Sequence, residues 1–469
     1  MGIKIGKISK DYFTPGSFQR NSIFSAVQAL SSIFCLFATY RILIADVGID
    51  KFGLWSLLLA GSAAARLGDV SGAGGLARFV AERQAEKDDP GTVVFIHTIL
   101  TSTIAFNLIA GLVVYILSDF LIARFVQHQF AEDVRGLIPI AILVALIMPA
   151  ISNTLSSAVD GMQRSDQRAI AVVFSSAVLL LFTAVFVPKF GVWGFGAAQL
   201  VQQGTLVITT WYLLKVKIPN LGWVPYKLSK SAFWESSAFG VKIQLNNIAG
   251  LLSEPLAKSL LAYWGGVGMV GYYELASRLV GQLRGVFVNA MQPLIALIAG
   301  IKSDEERVRH VLIRSMKMTM VSGLGIVLLA SLAAPIFSKV MIGEANREVV
   351  LIVISLAISL AINLFSVPLY FSGVGRGIMR WNILAQVWMA ACVMVASQLL
   401  GPMFGGAGVI LGIMAGHVGG TGIVGFGNAH DLGIFDSVRA MRWQIVASFA
   451  GIAAIGAAAL SISVCLIGQ

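Results

Sequence analysis

The sequence predicts an all-α, polytopic membrane protein: two six-helix lobes related by a parallel repeat, plus an extra C-terminal helix. Three observations predict it. Apolar runs of about 20 residues recur along the whole chain, long enough to cross a bilayer as helices. Basic residues collect in every second loop, and a set of signature residues returns at offsets of 212 to 218 positions.

Composition supports the first point. Of 469 residues 57% are hydrophobic and only 12% charged, with a mean hydropathy of +0.83, which a soluble domain does not need. The net charge of +11 is dispersed over loops rather than gathered in a nucleic-acid-binding patch, so no nucleic-acid partner is expected. Cys35, Cys392 and Cys465 all fall in apolar segments, which argues against a disulfide framework or a metal site. The charged leader 1–21 runs into a span too long for a signal-peptide core, so no cleaved signal is expected.

In order, spans are expected near 22–44, 53–76, 93–117, 137–160, 168–188 and 192–214. A second set falls near 235–263, 268–300, 314–339, 348–373, 379–400 and 405–426, and a thirteenth near 443–466. With the N-terminus in the cytoplasm, cytoplasmic segments hold 22 basic residues. External segments hold six: Lys51, Arg124, Arg135, Lys189, Lys339 and Arg347. That asymmetry is the one the positive-inside rule requires. The remaining six, Arg41, Arg66, Lys242, Lys258, Arg278 and Arg284, lie at membrane depth. Residues 1–214 form the first lobe, 215–234 a cytoplasmic surface linker, 235–428 the second lobe and 429–469 the extra helix. In the linker Lys215, Lys217, Lys227 and Lys230 alternate with Trp223, Tyr226 and prolines, a pattern suited to the membrane–water interface.

The repeat rests on matched points in matched order. Gly53-Leu54-Trp55 is answered by Gly271-Tyr272-Tyr273, Arg66 by Arg284, Arg41 by Lys258 and Gln28 by Gln244. Asp160-Gly161 with Arg164 and Arg168 matches Ser372-Gly373 with Arg376 and Arg380, and the turn at Pro188–Gly194 matches Pro402–Gly408. Six spans bring each half in from the same side. The halves are therefore parallel, and a binding site is expected between them.

The chemistry sits in the apolar helices. In 268–300, Glu274, Arg278, Gln282, Gly285, Asn289 and Gln292 fall within an arc of about 80° at helical spacing, a stripe that lipid would penalise. Arg284 lies at its edge with no acid at i±3 or i±4, which favours a ligand-facing role. Glu274 and Arg278 have the order of a helical ion pair, as do Glu254 and Lys258. Arg66 and Asp69 stand three apart, and each of these pairs is either structural or ligand-facing. Pro255 is expected to kink its helix, and Pro149, Pro293 and Pro368 theirs. Pairing cannot absorb the total: six basic groups at depth face three acids, Asp69, Glu254 and Glu274, and an anionic ligand is the simplest partner for the surplus. His417 reads as a packed polar residue, and no phosphate-loop, zinc or Ser-His-Asp motif occurs.

The stretch Gly53–Glu82, the run GYYELASRLVGQLRGVFVNAMQPLIALIAG at 271–300 and the PKFGVWG turn resemble the bacterial Wzx-type oligosaccharide flippases. That family belongs to the multidrug/oligosaccharidyl-lipid/polysaccharide exporter superfamily, and the resemblance covers roughly 20–428. It implies a V-shaped bundle in the bacterial inner membrane with a central cationic cavity, and a transporter rather than an enzyme. The implied cargo is an undecaprenyl-diphosphate-linked oligosaccharide for O-antigen, capsule or exopolysaccharide synthesis. Implied partners are membrane lipids and the polymerase and chain-length machinery, with no cofactor. Positions matching the cavity are Arg41, Arg66, Lys258, Arg278 and Arg284, joined by Lys242, Gln282 and Asn289 on the polar helix faces. Asp69, Glu254 and Glu274 are candidates for coupling or for ion pairs. Two alternatives remain: a small-molecule antiporter of the same superfamily, which would favour an unpaired acid, and a membrane enzyme of polysaccharide synthesis, which would need a sizeable catalytic loop. The thirteenth span has no counterpart in the repeat and is expected to be dispensable.

Overall fold

The computed structural model describes residues 18–64, 76–86, 88–125, 131–291, 305–376 and 378–467, with 294 and 298. Fourteen α-helices form this part of the chain, and nine helices among the described residues are long and apolar enough to cross a membrane. They are α1 (Phe18–Ala64), α2 (Leu76–Ala85), α3 (Asp89–Phe125), α4 (Ala131–Ile142), α5 (Met148–Gly161), α6 (Ser165–Lys217) and α7 (Lys230–Met291). Then follow α8 (Glu305–Ile342), α9 (Arg347–Leu364), α10 (Val367–Arg376), α11 (Arg380–Phe404), α12 (Gly406–Asp431), α13 (Phe435–Ala440) and α14 (Arg442–Ile467).

Several expected spans are fused in pairs by a single glycine. Gly48 breaks α1 at φ 82, ψ 168, and Gly266 breaks α7 at φ 80, ψ 169. Gly191 breaks α6 at φ 55, ψ −130, and Gly405 separates α11 from α12 at φ 56, ψ −136. A Cβ disfavours these conformations strongly, so glycine is what allows an apolar helix to reverse direction without a polar loop. Each pair recurs at the offset of its half of the repeat, 218 for the first and 214 for the second. The backbone thus carries the duplication more faithfully than the side chains do. The helix passes Pro255 with helical backbone angles, and its break falls at Gly266 instead. Pro149 follows a π-helical turn, Leu143–Ile147, and Pro368 opens α10 after the break beyond Leu364, while Pro293 lies outside the described residues.

Two compact units result, Met1–Gly48 with Leu58–Ile248, and Ile49–Leu57 with Ala249–Gln469. In the first, Leu76, Phe79 and Val80 of α2 pack with Ile96 and Ile99 of α3 and Leu155 of α5. The linker is strapped to this unit. The buried His97 ring contacts the Leu221 carbonyl through Nε2 at 2.8 Å and accepts the Lys227 N–H at Nδ1, 3.3 Å away. The Lys227 bond places the ring proton on Nε2. Trp223, Tyr226 and Leu228 of the linker stay exposed, with Lys215 stacked 3.4 Å over Trp223.

In the second unit α8, α10, α12, α13 and the start of α14 share a core through Leu312, Met316, Leu369, Val424, Val438 and Met441. The extra helix is part of this packing. Phe449 meets Phe365 edge-on at 5.8 Å between centroids. A Cβ at Gly323 of α8 would lie 3.4 Å from Ile452, and one at Gly456 would strike Ile358. Absence from the repeat does not make α14 peripheral: its apolar face covers α8 and α9.

Candidate functional site

The second unit gathers the charged residues of α7. Lys258, buried to 3% exposure, lies 2.7 Å from Glu254 and 2.7 Å from Glu274. The equally buried Glu274 accepts Arg278 Nε at 2.7 Å and the Ser56 hydroxyl at 3.0 Å. Both helical pairs form as their spacing allows, one turn apart on a helix face. The link between them does not follow from spacing. Glu254 and Lys258 precede the Gly266 break while Glu274 and Arg278 follow it, so the reversal folds one half of α7 against the other. Two cations and two carboxylates then sum to no net charge, so the buried Lys258 and Glu274 are compensated.

Ser56 and Glu274 occupy the same position of the repeat, 218 residues apart, and they touch. So do Gly53 and Gly271: a Cβ on Gly53 would lie 2.7 Å from the Gly271 nitrogen, and one on Gly271 2.7 Å from the Ile49 carbonyl oxygen. Glycine at both positions lets the backbones of 49–57 and 267–271 approach this closely.

Arg284 has a different environment. Its Nη2 donates to Asn363 Oδ1 of α9 at 2.8 Å, while its Nε is enclosed without a hydrogen-bond partner. Asn363 Nδ2 donates to Thr421 Oγ1 of α12 at 3.2 Å, Thr421 donates to the His417 carbonyl at 2.8 Å, and His417 Nδ1 meets Ser359 Oγ at 3.2 Å. Asn363, Thr421 and Ser359 carry no charge, so this network brings no acid to Arg284. Among the described residues no carboxylate pairs with Arg284.

Arg41 of α1 is partly buried, in the first unit, and forms no hydrogen bond or ion pair among the described residues. The repeat explains why. Its equivalent, Lys258, is flanked by Glu254 and Glu274, whereas the corresponding first-repeat positions are Phe37 and Ser56. Arg66 and Asp69 lie outside the described residues, as do the side chains of Lys242 and Asn289. Gln282 is half-buried on the stripe it was expected to join.

A cavity of about 300 Å³ opens within the second unit between α7, α11 and α12. Glu254, Tyr273, Arg278, Gln386, Met389 and His417 are among its lining residues. The structure therefore brings Glu254, Lys258, Glu274 and Arg278 together and sets Arg284 apart. Ser56, Asn363, Thr421 and Gln386 are additions that the sequence does not single out. For Ser56 a signal existed, its place opposite Glu274 in the repeat; single polar residues in apolar helices, such as Asn363 and Thr421, carry none. No cluster of His, Cys, Asp or Glu suited to a metal occurs among the described residues.

Comparison with known proteins places this architecture. The chain covers 87% of its length on an inward-facing multidrug resistance MATE family transporter of the MOP superfamily, matching 95% of that chain at TM-score 0.71 and 14% identity. It covers 95% of its length on the lipid II flippase MurJ in an inward closed conformation, matching 98% of that chain at TM-score 0.69 and 14% identity. A MOP superfamily transporter from Pyrococcus furiosus, whose description notes a reverse polarity of its binding pocket, matches at TM-score 0.56 and 13% identity over 89% of this chain and 94% of that one. No curated protein sequence matches. The fold is thus that of multi-pass transporters of this superfamily. A polysaccharide biosynthesis protein family profile matches residues 47–351, well over half of the chain, and the protein belongs to that family.

Proposed function

We propose that the protein is a flippase that carries an undecaprenyl-diphosphate-linked oligosaccharide from the inner to the outer leaflet of the bacterial inner membrane. The observation that carries this reading is Arg284, an arginine of α7 with an enclosed Nε and no carboxylate partner among the described residues. A guanidinium at that depth needs an anion, and its planar fork of donors matches phosphate oxygens. Arg41 adds a second basic group without a described partner, and membership of a polysaccharide biosynthesis family supports a glycan-bearing lipid as the source of the phosphate. Diphosphate would sit on Arg284 while the polyprenyl chain stays in lipid, and alternating access would move the head group. The neutralised cluster around Glu274 supports a scaffolding role for Lys258, which keeps Arg278 placed beside the cavity.

A cationic-drug antiporter of the same fold would be served by an unpaired acid. Among the described residues Glu254 and Glu274 are both ion-paired, which favours the flippase. The test is a complementation experiment in cells lacking the protein. Arg284→Ala is expected to leave lipid-linked oligosaccharide in the cytoplasmic leaflet while inserting normally. Arg284→Lys should restore only part of the export, since it keeps the charge and loses the fork. Full export by Arg284→Ala would remove the basis of the proposal.

A further inference from the structure

We infer that the cavity inside the second unit is a subsite for a sugar residue of the transported lipid, which rests on the functional reading above and gives it a means of selecting the glycan.

Its size is the first ground. About 300 Å³ stands at the lower end of ligand pockets and suits one or two sugar rings rather than a whole oligosaccharide. Charge is the second. The Glu254 and Arg278 walls are backed by Lys258 and Glu274, and the four groups cancel, so the cavity does not select an anion. A carboxylate and a guanidinium lining one cavity nevertheless offer it both acceptors and donors. Adjacent ring hydroxyls, each both donor and acceptor, satisfy such a pair, and the Gln386 amide extends the same pattern. The third ground is the other wall, where Met389, Val393 and Ile413 present an apolar surface. A pyranose has an apolar C–H face and a polar rim, and a pocket with one wall of each kind fits both.

Placement is the fourth ground. Arg284 follows Arg278 by six residues on the unbroken second half of α7, a rise of about 9 Å along the axis. His417 lines the cavity, and its carbonyl accepts the Thr421 hydroxyl that in turn accepts from Asn363, the partner of Arg284. One α12 turn therefore connects the sugar cavity to the arginine assigned to phosphate. A diphosphate on Arg284 with its first sugars toward Arg278 would span that distance.

The experiment uses purified full-length protein in detergent and calorimetric titration. The probes are farnesyl diphosphate and the same lipid bearing glucose, galactose or N-acetylglucosamine on its terminal phosphate. At least one sugar-bearing probe is expected to bind about tenfold more tightly than farnesyl diphosphate, the scale of one net hydrogen bond gained. Val393→Phe, which fills the cavity, and the milder Gln386→Ala should each reduce that preference and leave farnesyl diphosphate binding unchanged. Arg284→Gln should weaken every probe. Equal affinity of the wild-type protein for all four probes would overturn the subsite, as would a sugar preference that survives in Gln386→Ala and Val393→Phe. Wild-type protein that binds no diphosphate probe at all would instead overturn the functional reading, and the subsite with it.

Discussion

Arg41 and Lys258 hold equivalent places in the two repeats, yet one is left with a hydrophobic neighbour and the other is enclosed by carboxylates. The difference comes from two positions. Where the second repeat has Glu254 and Glu274, the first has Phe37 and Ser56. Duplication supplied the same basic group twice, and divergence neutralised only one copy. The lesson is that a count of charges at membrane depth does not identify a binding site; the surplus has to be located after pairing. Among the described residues the surplus sits at Arg284 in the second repeat and at Arg41 in the first.

The comparison breaks most visibly at Glu274. Glu274→Ala would strand Lys258 in a buried place with Glu254 alone, and a cost of about 3–5 kcal/mol in stability is expected. Arg41→Ala should cost far less, because nothing described is paired to it. Thermal midpoints of the two purified variants measure this directly, and equal losses would erase the distinction between the repeats. Removal of α14 by truncation after position 442 comes next. It uncovers the faces of α8 and α9 and loses the Phe449 contact with Phe365, so a loss of about 3 kcal/mol or more and a lower yield of folded protein are expected. A truncated protein with an unchanged midpoint would restore the view that the helix is an appendage.

The glycine breaks sharpen the likeness rather than the difference. A Cβ on Gly48 would meet no neighbouring atom, so Gly48→Ala reports backbone strain alone, about 1–3 kcal/mol. Gly266→Ala should carry the same strain, since its φ and ψ are within a few degrees of those at Gly48. Gly61→Ala, in open space and in regular helix, should be neutral or mildly stabilising.

Much of this was legible in the sequence. Apolar length placed the helices, and fixed offsets exposed the duplication. Helical spacing also marked Glu254 with Lys258 and Glu274 with Arg278 as pairs. Breaks were expected between 44 and 53 and between 263 and 268, where Gly48 and Gly266 lie, but that a single glycine makes each one was not legible, because hydropathy does not report backbone conformation. For the same reason the Lys258–Glu274 bridge stayed hidden: 16 residues separate its partners, and only the Gly266 reversal brings them together. Asn363 and Thr421 were invisible as site residues, since one amide or hydroxyl in an apolar span looks like packing until its partner is known. The place of α14 could not be read from periodicity, which says that a helix is apolar and not which neighbours it covers.

The central claim, that phosphate is handled by the basic groups left without carboxylates, is tested most directly by supplying the missing acid. Phe37→Glu would give Arg41 the i,i+4 partner that Glu254 gives Lys258. The measurement is the rate at which labelled undecaprenyl-diphosphate-linked oligosaccharide changes leaflet in proteoliposomes, with Phe37→Gln as the neutral control. A fall of about tenfold or more in Phe37→Glu is expected, the scale on which removing one charged contact acts, with Phe37→Gln close to wild type. Translocation by Phe37→Glu at the wild-type rate would contradict the claim.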